Sequence, residues 1–335
     1  LKDWWPLSKD WRNGKTILFG TCYVFMQSLL LVEHLRKRHG LIQAVDDLSF
    51  QVHPGDVYGF LGQNGAGKST TLRMLVTLIF PDAGSIRIFG KALYQHRAYC
   101  LSRMGCIIER PDLYRYLSAL DNLRLFAALN GLRPTRNEMM LQLEQVGLAN
   151  RANDKVGTYS QGMKQRLGIA VALQHNPELV ILDEPTNGLD PQGIADMRQL
   201  ILRMQQEFKK TVIVSSHLLS EMEAVCNRML IIHQGKAVVE GNLRDLLAPE
   251  KTRVVLTTDN DSQVRDLMTH TQWKDQLCTG GEELALTMHQ ADVPDLVRWL
   301  TEKKIAVFGV RQQHALEDYF IRLTQTPEHV DAPAR

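Results

Sequence analysis

The run Gly62-Gln63-Asn64-Gly65-Ala66-Gly67-Lys68-Ser69-Thr70 constrains this chain more than any other stretch, because it satisfies the phosphate-loop pattern G-x-x-x-x-G-K-[ST]. A strand-like apolar segment, Val57-Tyr58-Gly59-Phe60-Leu61, precedes it, and residues 69–79 follow with a helical pattern. Strand, glycine-rich loop and helix in that order is the context in which the pattern has a mechanism. Gly62, Gly65 and Gly67 let backbone N–H groups converge on a phosphate without a Cβ in the way, and the helix N-terminus adds positive potential. Lys68 would reach the β- and γ-phosphates, and the Ser69 hydroxyl would take a magnesium position. Asn64, Ala66 and Thr70 complete the nucleotide cradle. The competing reading is a plain glycine-rich turn before a helix, which the lysine and hydroxyl at fixed offsets disfavour. The loop alone implies a bound nucleoside triphosphate and nothing more specific.

With 335 residues the chain has room for one large α/β domain and a smaller second one. A formal net charge of +2 gives no general argument for nucleic acid or an anionic membrane surface. Cys22, Cys100, Cys106, Cys226 and Cys278 are scattered without a C-x-x-C pair, which fits a reducing compartment and argues against a disulfide framework or a zinc site. The most apolar stretch, 17–32, falls short of the roughly 20 residues a membrane span needs and is interrupted by Gly20, Thr21, Gln27 and Ser28. Its second half, 29–32, reads instead as the first strand of a domain. Because Met26 stands just before that strand, residues 1–25 are expected to be an extension or an upstream reading-frame artefact.

Alternating apolar residues over 44–52 predict a strand, closed by the turn His53-Pro54-Gly55-Asp56. A strand resumes at 85–89, and from about 118 to 165 the leucine spacing becomes helical. Leu179-Val180-Ile181-Leu182 and Thr211-Val212-Ile213-Val214 are short uninterrupted apolar runs, as buried parallel strands require. The span 192–208 between them is helical, and 229–240 reads as a hairpin around Gln234-Gly235. The domain expected over 26–246 is thus α/β with a helical insertion. Beyond it, a small α+β unit is expected over 247–325, with strands at 253–258, 283–288 and 305–310, helices at 262–268 and 293–303, and a closing helix at 315–324. Residues 326–335 carry the composition of a disordered tail.

The second apolar run ends in two carboxylates, Asp183-Glu184. At a strand's carboxyl end Asp183 can face the magnesium of a phosphate-loop nucleotide through water, and Glu184 can turn to the γ-phosphate and polarise an attacking water. Taken without the loop, the pair would read as two solvated acids.

The neighbouring residues decide between these readings. Thr186-Asn187-Gly188-Leu189-Asp190-Pro191 follows the acids, Ser215-Ser216-His217 ends the next strand, and Tyr159-Ser160-Gln161-Gly162-Met163-Lys164-Gln165-Arg166 lies upstream. This ordered set resembles the ATP-binding cassette (ABC) family of phosphate-loop ATPases over about residues 29–245. The resemblance makes 62–70 the Walker A loop, 179–184 the Walker B strand, 187–190 the D-loop ending in Asp190, and His217 the switch histidine. Residues 159–163 stand where the family has its LSGGQ signature, keeping Ser160 and Gly162 but with Tyr, Gln and Met at the other places. It implies ATP and Mg2+ as ligands and a head-to-tail homodimer. In that dimer Ser160 and Gly162 of one copy contact the γ-phosphate held by Lys68 of the other.

Two positions depart from the family pattern. Glu109 occupies the place of the usual Q-loop glutamine; it is either a magnesium-facing carboxylate or a solvated loop acid. Glutamate here, with Gly-Met-Lys-Gln-Arg after Gln161, is similar to exporters of the bacitracin- and lantibiotic-resistance branch. His39 stands where an adenine-stacking tyrosine is usual, and sequence leaves a stacking role and a structural one both open. Tyr114 and Tyr116 correspond to the groove for a permease's coupling helix, or to core packing.

The resemblance therefore implies an ATPase subunit of a membrane exporter, peripheral on the cytoplasmic face of the cell membrane and paired with separately encoded integral membrane permease subunits. A soluble ABC ATPase acting on nucleic acid or ribosomes is the alternative class. The single cassette, the lack of a heptad arm and the lack of a basic cluster argue against it and against a nucleic-acid partner. An importer ATPase is a third reading, against which Glu109 and the small C-terminal unit lean.

Overall fold

A computed structural model describes residues 28–246 and 252–313, apart from 270, 272 and 279–282. The extension 1–25, the closing helix expected at 315–324 and the tail 326–335 lie outside the described residues.

The chain starts with a hairpin of β1 (Leu30–His39) and β2 (Ile42–Val52), then enters β3 (Val57–Leu61) and α1 (Lys68–Leu75). After β4 (Ala83–Ile88), β5 (Lys91–Ala92), α2 (Arg97–Leu101) and β6 (Met104–Ile107) come three helices: α3 (Ala119–Leu129), α4 (Arg136–Gln145) and α5 (Gln161–Leu173). An alternating stretch follows, β7 (Leu179–Leu182), α6 (Pro191–Gln206), β8 (Thr211–Ser216) and α7 (Leu219–Val225). The hairpin of β9 (Arg228–His233) and β10 (Lys236–Asn242) and the short α8 (Leu243–Leu246) end this part.

Two sheets result. β2-β1-β4-β5 is antiparallel, and β10-β9-β3-β8-β7-β6 is parallel except for its terminal hairpin. Every residue of β3, β7 and β8 is buried, which explains why those strands carry no polar alternation. Alternate residues of the large sheet serve different cores. Val57, Leu61, Val180, Leu182, Val212 and Val214 pack with the helices α3 to α7. Tyr58, Phe60, Leu179, Ile181 and Ile213 pack with α1 and the antiparallel sheet. A two-residue period along each strand makes that division unavoidable.

Several expected boundaries move. The first strand runs on past the expected 29–32 to His39, with register irregularities where His34 takes a left-handed φ of 50°. The post-loop helix stops at Leu75 instead of reaching 79. Leu78 N–H bonds to Arg73 C=O at 2.9 Å and Thr77 N–H to Met74 C=O at 3.2 Å, the paired bonds of a Schellman cap. Thr77, at φ 59°, takes the left-handed position that glycine usually fills. The hairpin turn at Gln234-Gly235 has φ of 47° and 78°, the two positive values of a type I′ turn.

The helical insertion is delimited by its caps. Ser118 caps α3, Thr135 and Glu138 form a reciprocal capping box on α4, and Ser160 caps α5. In the C-terminal part, β11 (Thr252–Thr258), α9 (Asp261–Met268), β12 (Leu284–Met288), α10 (Val293–Glu302) and β13 (Val307–Gln313) follow the expected order. Their antiparallel sheet, ordered β12-β11-β13, closes over a separate core that includes Val254, Leu256, Val264, Leu286, Leu296 and Leu300.

Candidate functional site

The loop between β3 and α1 is shaped by glycine where nothing larger fits. A Cβ on Gly67, whose φ is 105°, would sit 2.4 Å from the Ala44 carbonyl oxygen, and one on Gly62 would sit 2.5 Å from that of Ile232. Ala66 is buried, whereas Asn64 and Gly65 are exposed at the loop's crest, and Ser69 and Thr70 are half-buried on the first turn of α1. Lys68 is buried, and its ammonium folds back over the loop, donating to the carbonyls of Gly62 at 2.7 Å and Gln63 at 3.2 Å.

The acidic strand end meets this lysine. Lys68 Nζ lies 3.2 Å from Glu184 Oε1, while Glu184 Oε2 lies 3.0 Å from His217 Nδ1. Oε1 is buried yet off-line for a hydrogen bond to the ammonium, so one carboxylate oxygen keeps its acceptor capacity inside the cleft. Consecutive strand residues would point to opposite faces. The left-handed backbone of Glu184, φ 48°, is what turns it to the side that Asp183 faces. Such a conformation costs about 1–3 kcal/mol and persists because its surroundings fix it.

Ser215, buried on β8, supplies much of that fixing. Its hydroxyl donates to Asp183 Oδ1 at 2.6 Å and accepts from the Glu184 N–H at 2.8 Å. A second brace lies behind it. Glu221 Oε2 accepts from Thr186 Oγ1 at 2.6 Å and from Ser216 Oγ at 2.7 Å, and Ser216 Oγ accepts from the Leu218 N–H at 3.0 Å. The turn after the two acids and the segment carrying His217 are therefore tied through one buried carboxylate. Sequence reading singled out neither Ser215 nor Glu221. Their only signal was proximity to His217, two residues before it and four after.

A cleft of about 470 Å3 opens in front of these groups, lined by Ser69, Asp183 and Glu184 on one side and by Glu109, Arg110, Gln161, Gln165, Asn187 and Gly188 around the rest. Glu109 enters it from a left-handed turn after β6, φ 66°, and is ion-paired with Arg73 of α1. Ser69 and Asp183 offer this space a hydroxyl and a carboxylate, the hard oxygen donors that Mg2+ takes together with water. With the ammonium of Lys68 and the N-terminus of α1, the arrangement can hold a polyphosphate beside a carboxylate able to accept a proton from water.

The remaining expected residues lie apart from this cluster. His39 is exposed at the end of β1, beside the hairpin turn, and does not line the cleft. Asp190 caps α6, its carboxylate accepting from the Gly193 N–H at 3.1 Å. Ser160 caps α5, accepting from the Met163 N–H at 3.3 Å, and a Cβ on Gly162 would come within 3.8 Å of Leu189. Neither Ser160 nor Gly162 lines the cleft containing Ser69 and Glu184. Tyr114 and Tyr116 are exposed and stand edge to face, with Phe126 beside Tyr114. No helix among the described residues is long and apolar enough to cross a membrane.

The sequence profile of the ABC transporter family matches residues 45–187. An uncharacterized ABC transporter ATP-binding protein of Bacillus subtilis is 38% identical over 91% of this chain and 99% of its own length. The bacitracin transport ATP-binding protein of Bacillus licheniformis is 39% identical over 89% of this chain and 98% of its own. Among solved structures, an ATP-binding cassette captured as a dimer in a post-hydrolysis state with ADP and Pi is 25% identical. It covers 64% of this chain and 99% of its own, with a TM-score of 0.57.

Proposed function

Since the chain belongs to the ABC transporter family of ATP-binding proteins, we propose that it is the ATP-hydrolysing subunit of a membrane exporter, driving a separately encoded permease from the cytoplasmic face. The observation that carries the reading is Glu184, held between Lys68 and His217 at the mouth of the phosphate loop. On this reading residues 26–246 form the ATP-binding domain and 247–325 an accessory one.

Gly62, Asn64, Gly65, Ala66, Gly67 and Thr70 cradle the phosphates with backbone N–H groups, and Lys68 supplies fixed positive charge where negative charge develops. Magnesium, when bound, neutralises phosphate charge; Ser69 and Asp183 would hold it, with Glu109 facing it from the far wall. Glu184 accepts the proton of the attacking water, and His217 orients that carboxylate and senses the γ-phosphate. His39 lies beside the base, and Asp190 fixes the turn that meets the second subunit.

Ser160 and Gly162 act in trans. They stand at the start of α5, where unpaired N–H groups and the cap hydroxyl make an anion site, and a second copy brings that site to the phosphates. A dimeric cassette structure among the relatives supports this assembly. The exposed aromatic residues Tyr114 and Tyr116 are the surface offered to the permease. A relative named for bacitracin transport favours export over import and over a nucleic-acid role.

The test is the Glu184→Gln variant purified with the proteins encoded beside it. ATP binding with a stable dimer, no turnover, and co-purification of an integral membrane protein with the wild-type chain are expected. Turnover near the wild-type rate, or a chain that associates with ribosomes and no membrane protein, would overturn the reading.

A further inference from the structure

Gln165 stands on α5, one turn beyond Gln161, so both side chains leave the helix on the same face and both line the cleft. Gln165 is only 4% exposed, and what it exposes is turned to the cleft, where no side chain or backbone group among the described residues fixes its carboxamide. A carboxamide at the wall of a polar cleft with no fixed partner is free to bond to whatever fills the cleft. What faces it across the cleft is Asp183, Glu184, Ser69 and Glu109, the oxygen donors suited to a hydrated divalent cation. Of these, Glu109 is already engaged by Arg73, and Asp183 by Ser215.

We propose that Gln165 is a positioning residue for the metal–nucleotide complex, its carboxamide hydrogen-bonding the water shell of the cation when ATP and Mg2+ are loaded. The inference rests on the reading of the cleft as the ATP site. A neutral amide suits this place. Its oxygen accepts from a metal-bound water, a part that rests on the acceptor alone. Gln165 also belongs to the helix whose first turn carries Ser160 and Gly162. Loading the cleft would thereby orient, within one subunit, the element that is offered to the other.

The experiment is equilibrium ATP binding to the full chain with Mg2+ and with EDTA, for the wild type, Gln165→Met and Gln165→Glu. Methionine keeps the volume without the amide, and glutamate keeps an acceptor. Gln165→Met is expected to weaken the Mg2+-dependent gain in ATP affinity by about 3- to 10-fold while leaving affinity in EDTA unchanged. Gln165→Glu is expected to keep that gain. An unchanged Mg2+ dependence in Gln165→Met overturns the proposal, as does equal weakening with and without Mg2+, which would mark a packing role. Should Gln165→Met fail to fold, loss of the Mg2+-dependent gain in Gln165→Glu overturns it in the same way. A wild-type chain that binds no ATP would instead refute the reading of the cleft.

Discussion

His217 and Glu184, 33 residues apart in sequence, meet through a 3.0 Å contact between imidazole Nδ1 and carboxylate Oε2. An ionised carboxylate only accepts, so Nδ1 carries the proton and the ring is held in one tautomer with Nε2 left for other partners. Replacing His217 by Ala removes that orientation while Lys68 still attracts the carboxylate. Turnover is expected to fall by about 100-fold or more with ATP affinity changed far less, read from single-turnover hydrolysis alongside equilibrium binding.

Ser215 bridges Asp183 and the backbone of Glu184, so Ser215→Ala loosens both acids at once. The variant is expected to be less stable by about 1–2 kcal/mol in urea denaturation. Its kcat should fall more than its KM for ATP rises if, as proposed, the acids act on the reacting water and the metal more than on the nucleotide as a whole.

At Glu221 the number of acceptors matters more than charge. Glu221→Gln retains an oxygen that can accept from both Thr186 and Ser216 and is expected to fold near wild-type stability. Glu221→Leu strands two buried hydroxyl donors and is expected to lose about 2–4 kcal/mol. Denaturant midpoints of the two variants check this, and equal midpoints would show that the bridge contributes nothing.

Thr77 is a β-branched residue in a left-handed cap, and its buried hydroxyl oxygen has no partner. Thr77→Gly relieves both and is expected to stabilise the chain by about 1 kcal/mol. For a chain of 335 residues that corresponds to a rise in Tm of about 1–2 °C, measurable by thermal unfolding.

Burial pushes the Cys226 thiol well above its ordinary 9.0, raises Tyr58, which also faces the Glu240 carboxylate, and lifts Tyr94 to about 12. A group whose folded pKa is raised stabilises fully below its unfolded pKa, and the contribution fades as pH climbs toward the folded value. Unfolding should therefore release protons, and stability should decline from about pH 9 upward. Denaturation midpoints between pH 7.5 and 10.5 test the direction, and Cys226→Ala should reduce the slope.

Contiguous patterns were legible because local chemistry writes them. The loop at 62–70, the apolar runs that became β7 and β8, and the strands and helices of the C-terminal unit within the described residues followed from spacing and composition over a few residues. Boundaries slipped where a single backbone angle intervened, as at Thr77, since nothing in a β-branched side chain announces a left-handed turn. Lys68, the pair Asp183-Glu184 and His217 were visible in sequence as members of three separate motifs. Ser215 and Gln165 appeared only as neighbours inside such motifs, and Glu221 not at all, for serine, glutamate and glutamine look like surface residues until burial is known.

The sequence by itself determined that a phosphate-binding loop would sit between a buried strand and a helix, and that two acids would end a parallel strand nearby. Only the tertiary structure decided which oxygen of Glu184 faces Lys68 and which faces His217. It alone tied Asp183 to Ser215 across 32 residues and Thr186 to Glu221 across 35. The reason is the order of the sheet: β3, β8 and β7 lie side by side although the chain visits them far apart. Hydrogen bonds between neighbouring strand ends depend on that adjacency, and no local pattern in the chain encodes it.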